Sequence, residues 1–152
     1  GWGSIDLANR VAPGKSYGID ITKEMIKKSR KHAEKVGIDN VSFIKTSVLN
    51  LPFESDSFDG CITTHAAHHF YRPVEMFSEI RRVLKPGSIL SIVDNCGSSR
   101  LIRDFEKKLV KEEEAHHRFF TTSEIRRILE EAGFSIKTLY MKEHDMYVRA
   151  LK

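Results

Sequence analysis

Apolar positions along the chain switch repeatedly between helical and extended spacing. Ile5, Leu7, Ala8 and Val11 fit a short helix over about 4–11, and Pro13-Gly14 marks a turn. Residues 16–21 (S-Y-G-I-D-I) read as a strand ending near an acid. Thr22 stands where an N-cap is expected, ahead of a helix with Met25, Ile26, Ala33 and Val36 on its apolar stripe and Gly37 as its left-handed stop. Residues 41–45 and 58–63 predict two more strands, and 73–84 a helix burying Met76, Phe77, Ile80, Val83 and Leu84. Lys85-Pro86-Gly87 predicts a turn before a strand at 89–93. Leu101, Phe105 and Leu109 recur at four-residue steps and predict a helix over about 99–114. Thr121-x-x-Glu124 is a capping box opening a helix that Gly133 closes. Residues 135–141 and 146–151 then predict an antiparallel pair turning near 142–144.

Strand and helix alternating in this order predict an α/β fold, with a mostly parallel sheet covered on both faces and an antiparallel strand towards one edge. No linker or repeat divides residues 1–152, so one domain is expected. With 40% hydrophobic and 30% charged residues, 9 Gly and 4 Pro in 152, collagen-like and disordered classes are excluded. The net charge of +4 reads as a mildly basic surface of interspersed charges that permits anionic partners without demanding them. Cys61 and Cys96 make neither a disulfide framework nor a zinc quartet, and buried reduced thiols are expected. No apolar run reaches the ~18 residues of a membrane span and no signal-peptide pattern stands out, so a reducing, cytoplasmic setting is expected. The chain opens on Gly1-Trp2-Gly3 without a start Met, which reads as a fragment of a longer protein.

Ligands of such sheets gather beyond the carboxyl ends of the strands. Gly1-x-Gly3 precedes a helix there, where close backbone approach and a helix N-terminus suit an anionic group. Asp20 ends a strand 19 positions after Gly1, near the spacing that sets an acid on a ribose diol, and an acceptor-only carboxylate suits two hydroxyls. The plainer alternative is that Asp20 caps the next helix. Asp6 stands where a dinucleotide fingerprint needs its third glycine, which argues against a pyrophosphate site. His65, His68 and His69 form H-x-x-H-H, and His116-His117 adds a pair. A metal site, a wall of the active site and plain packing all remain open for the histidines, and no cysteine completes a quartet.

Four stretches taken together resemble the class I S-adenosylmethionine-dependent methyltransferases: Gly1-Trp2-Gly3-Ser4; Gly18-Ile19-Asp20-Ile21-Thr22 with Met25; Leu51-Pro52-Phe53 with Phe58-Asp59; and Arg82-Val83-Leu84-Lys85-Pro86-Gly87. The likeness runs from residue 1 to about 95, is greatest to the group acting on small molecules and lipid quinones, and extends to 121–134. It implies a Rossmann-like sheet of strand order 3-2-1-4-5-7-6 with the seventh strand antiparallel. Residues 16–21, 41–45, 58–63 and 89–93 then stand for the family's second to fifth strands, the last pair for its sixth and seventh, and its first strand is missing.

The resemblance also implies roles. Gly1 and Gly3 flank the methionine part of S-adenosylmethionine, Asp20 binds the ribose diol, and Ile21 and Met25 pack on the adenine. Ser47 stands where the family often has an Asp that accepts from the adenine amino group, and as a neutral acceptor it holds that bond more weakly. The Val48 N–H reads the ring, and Thr64 and His65 line the cofactor near the sulfonium. Candidate bases are His65, His68 and Asp94, with none singled out; no metal is expected. Thr63-Thr64-His65-Ala66 replaces the Asn-Pro-Pro-Tyr-type amine-methylation motif. The expected function is methyl transfer to a small-molecule or lipid-like acceptor, not to nucleic acid. An RNA methyltransferase, suggested by the pI of about 9.1, and a non-catalytic cofactor- or partner-binding domain are the alternatives. The oligomeric state is left unassigned.

Overall fold

A computed structural model describes residues 2–109 and 118–152, which form two compact units, Gly1–Pro52 and Phe53–Lys152. The first contains α1 (Trp2–Val11), β1 (Ser16–Asp20), α2 (Lys23–Val36) and β2 (Val41–Lys45). β1 and β2 are parallel, with Asp20 beside Lys45. A small core of Ile5, Ile26, Ala33 and Phe43 joins helices to sheet. Gly18 makes that packing possible: a Cβ there would lie 2.6 Å from the Phe43 ring and 2.8 Å from Ser4 Oγ. The Asn40 side-chain amide ties the unit together by donating to the carbonyls of Ala8 (2.8 Å) and Gly14 (2.7 Å).

The second unit contains β3 (Phe58–Thr64), a 3₁₀ turn (Ala67–His69), α3 (Pro73–Val83), β4 (Leu84–Asn95), α4 (Arg100–Leu109), α5 (Thr122–Glu131), β5 (Ser135–Lys142) and β6 (Asp145–Leu151). Its sheet runs β3-β4-β6-β5, parallel between β3 and β4 and antiparallel elsewhere. Phe77, Met76, Leu84, Leu90, Ile92, Ile125, Leu129, Met146 and Val148 are fully buried. Taken sheet by sheet, the strand neighbours follow the order the resemblance implies, 3-2 and 4-5-7-6, with the seventh strand antiparallel. β1 and β3 each have one strand neighbour among the described residues.

Several local expectations change. Thr22 is the N-cap residue of α2, but its side chain makes no cap bond; its hydroxyl donates to Asp20 instead. Met25 and Val36 are exposed, and Ile26, Ser29 and Ala33 form the buried stripe. Leu101 and Phe105 are also exposed: α4 turns Ile102 inward, so the four-residue recurrence marks a helix but not its buried face. Lys85-Pro86-Gly87 does not separate helix from strand. β4 starts at Leu84, opposite Phe58, and the next register pair is Gly60 with Ile89. The excursion between them holds Pro86, which has no N–H to give the ladder, and Gly87 at φ 80°. The capping box forms in full: Thr121 Oγ1 accepts from the Glu124 N–H and Glu124 from the Thr121 N–H. Cys96 is buried and Cys61 half-buried, both free.

Candidate functional site

In the first unit, the chemistry gathers at the carboxyl end of the two strands. Asp20 Oδ1 accepts from the Thr22 N–H (2.7 Å) and the Thr22 hydroxyl (2.8 Å). The turn before α2 is therefore closed by this carboxylate, as the plainer reading of Asp20 expected. Oδ2 has no hydrogen-bond partner among the described residues, so half the group's accepting capacity remains. Beside it Ile21 is 67% exposed and Met25 40%, an apolar surface next to an acceptor. The Thr46 N–H donates to the Asp20 carbonyl (3.0 Å), which starts the following turn beside the acid. Within that turn Ser47 Oγ accepts from the Leu49 N–H (3.2 Å), leaving one lone pair and its own O–H. Val48 is half-buried. Gly3 lies in the first turn of α1, and Gly1 lies outside the described residues.

In the second unit, Thr64 ends β3 and is exposed. His65 follows at φ 46°, a left-handed conformation costly for a non-glycine residue. Its N–H donates to the Val93 carbonyl (2.8 Å), continuing the β3–β4 ladder by one bond. That turn carries His68 back over β4. His68 Nδ1 lies 2.7 Å from Asp94 Oδ1, and both side chains are buried. Asp94 also accepts from the backbone N–H groups of His68 (3.2 Å) and Asn95 (2.9 Å). A carboxylate can only accept, so the Nδ1 hydrogen points at Asp94, and Nε2 is the ring position that accepts or gives a proton.

The pair is enclosed. Phe119 packs its ring 4.6 Å from the His68 ring, and His69 packs at 4.0 Å. The 118–120 segment is tied down along its length. The Arg118 N–H donates to the His68 carbonyl (3.2 Å), Phe119 N–H to Glu106, and Gly97 N–H to the Phe120 carbonyl (2.9 Å). A Cβ on Gly97 would fall 2.5 Å from the Phe119 carbonyl oxygen, so only glycine lets the two backbones meet this closely. Desolvation pushes the Cys61 thiol on β3 up to about 12 even though the residue keeps some exposed surface. No cluster of three metal-ligating side chains occurs among the described residues, and His116 and His117 lie outside them.

The sequence thus named Asp20, Ile21 and Met25, which fall within six residues at the end of β1 and the start of α2, and His68 and Asp94, which form a pair. It did not foresee the pairing, nor Phe119 against the imidazole or Glu106 holding the segment that carries Phe119. His65 stands apart from the pair, its side chain exposed.

A methyltransferase domain family matches residues 1–133. The chain belongs to that family. A methyltransferase of unassigned role from Bacillus subtilis, YcgJ, is 38% identical over 78 residues, which is 51% of this chain and 31% of that protein. The demethylmenaquinone methyltransferase of Geobacillus stearothermophilus is 33% identical over 87 residues, 57% of this chain and 37% of the relative. The matches therefore span about a third of either relative's length. Among solved structures, an S-adenosylmethionine-dependent methyltransferase from Aquifex aeolicus superposes with a TM-score of 0.80 at 24% identity, covering 96% of this chain and 73% of that one. The fold is the Rossmann-like methyltransferase fold, and S-adenosylmethionine is the cofactor that goes with it. The methyltransferase domain's own residues fit an adenosine group: a carboxylate oxygen without a partner among the described residues precedes exposed Ile21 and, in the first turn of α2, exposed Met25.

Proposed function

We propose that this methyltransferase domain transfers a methyl group to a small, lipid-like acceptor, with His68 as the base that takes the acceptor's proton. S-adenosylmethionine supplies an already activated methyl group. Asp20 accepts hydrogen bonds from the ribose hydroxyls through Oδ2. Ile21 and Met25 cover the adenine, and Ser47 and the Val48 N–H meet its edge. Gly1 and Gly3 give backbone access to the methionine end, and the family resemblance assigns Thr64 and His65 to the sulfonium. Alignment is the chief contribution of such a site, since held reactants reach effective molarities of roughly 10⁵ M and above. Where the acceptor must lose a proton, Asp94 keeps Nε2 of His68 as the accepting position.

The observation that carries this reading is the buried His68–Asp94 pair, held by three donors on one carboxylate. An apolar acceptor is supported by the ring of Phe119 on the imidazole and by the quinone methyltransferase among the relatives. Calorimetry with S-adenosylmethionine tests the cofactor roles. Asp20→Ala is expected to weaken binding roughly 10- to 100-fold, the worth of one or two hydrogen bonds to a charged acceptor. An unchanged affinity would remove Asp20 from the site. Incubating the protein with methyl-labelled cofactor and either an organic lipid extract or RNA tests the acceptor; label in the lipid fraction is expected, and label in RNA alone would overturn the reading.

A further inference from the structure

The positive charge of this protein is concentrated. Residues 53–152 hold 16 Lys and Arg against 16 Asp and Glu and are neutral; residues 1–52 hold nine against five. Within them, α2 alone carries Lys23, Lys27, Lys28, Arg30, Lys31 and Lys35 against Glu24 and Glu34, so this one helix accounts for the whole net charge of +4.

The five lysines are exposed, and none has an ion-pair partner among the described residues. Lys27, Lys31 and Lys35 follow at four-residue steps with Lys28 beside them, a stripe about 12 Å long at 1.5 Å per residue. Ile26, Ser29 and Ala33 are the buried positions of the same helix and fall on its opposite side. Glu24, three and four residues before Lys27 and Lys28, and Glu34, three after Lys31, fall on the same face, which therefore holds five lysines against two glutamates and keeps a clear positive excess. Arg30 does not join it in the same way, because its guanidinium donates to the Phe43 carbonyl (2.7 Å).

We propose that the lysine face of α2 is a docking surface for an anionic lipid bilayer. Lysine ammonium groups are hydrated point charges that suit a diffuse negative surface, and each near such a surface adds to binding. The helix bears no Phe, Tyr or Trp on which a nucleic-acid base could stack, and its one imidazole, His32, is half-buried. Docking there would hold the domain at the surface where a lipid-like acceptor resides; the inference rests on the proposed acceptor class in that respect alone.

Co-sedimentation with phosphatidylcholine vesicles, with and without phosphatidylglycerol, tests it. Binding is expected to require the anionic lipid and to be released by high salt. The triple variant Lys27→Gln/Lys31→Gln/Lys35→Gln is expected to lose on the order of 100-fold in partitioning. S-adenosylmethionine affinity should be unchanged in that variant, which confirms that the first unit is intact. No binding of the parent protein to anionic vesicles, undiminished binding by the triple variant, or release of the vesicles by homopolymeric RNA held through the same lysines would each overturn the proposal. Lipid docking without cofactor binding would defeat the function proposed above and leave this surface standing.

Discussion

The two units handle polar groups in opposite ways. In residues 1–52 the group that matters is left partly unsatisfied: Asp20 spends one oxygen on Thr22 and keeps the other, next to apolar side chains that water can reach. In residues 53–152 the group that matters is spent completely. Asp94 is buried, accepts three hydrogen bonds, and fixes the hydrogen of a buried imidazole. The first arrangement is what a ligand needs, an acceptor whose remaining bond the ligand completes. The second is what proton transfer needs, a ring whose orientation is set before any ligand arrives. The cores differ accordingly: a small cluster around Ile5, Ile26, Ala33 and Phe43 supports the two-stranded sheet, whereas the four-stranded sheet is packed against α3 and α5 by a long series of fully buried residues.

The largest effect expected from breaking this contrast is at Asp94. Asp94→Ala orphans a buried imidazole and two backbone donors, and about 3–5 kcal/mol of stability should be lost in urea denaturation. His68→Gln should instead fold and bind cofactor while losing methyl transfer roughly 100-fold or more. Equal loss of cofactor affinity and transfer in that variant would contradict its role as base. The next effect belongs to the smaller core. Gly18→Ala pushes a Cβ into the Phe43 ring, and a loss of about 1–3 kcal/mol is expected, read as faster amide exchange in β1 and β2 with β3–β6 unaffected. The smallest is at Glu124. Burial works to raise its carboxyl, but the Thr121 backbone and hydroxyl bonds and the Arg118 guanidinium outweigh that and hold it below the usual glutamate range. A group lowered in the folded state stabilises above its unfolded value, and the gain fades as pH falls through the lowered one. Glu124→Gln should therefore cost a few tenths of a kcal/mol near neutrality, with its deficit against the parent shrinking in acid melts.

How far each unit could be read beforehand follows the range of its interactions. Asp20, Ile21 and Met25 are neighbours in sequence and are grouped by the family resemblance, whereas Thr121 and Glu124 are grouped by their spacing alone. His68 and Asp94 are 26 residues apart. They meet because β3 and β4 run parallel with Thr64 beside Val93, and because the tight turn after His65 folds back over the next residue of β4. No local pattern encodes that register. Exposure on α4 escaped for a related reason: Leu101, Ile102 and Phe105 are all apolar, and only tertiary packing decides that Ile102 is the one buried. The extension of β4 through Pro86 was hidden by a Lys-Pro-Gly that reads as a stop and acts as an excursion within the strand. The charge of α2 was in plain view in the sequence but was diluted by averaging over the chain.

Gly97 carries one last implication. The cover over the imidazole rests on main chain meeting main chain, where a single hydrogen takes the place a methyl would need. Its tightness is thus not adjustable by trading one side chain for another at that position. Opening space over the imidazole would require moving the 118–120 segment itself, since position 97 has no side chain to give up.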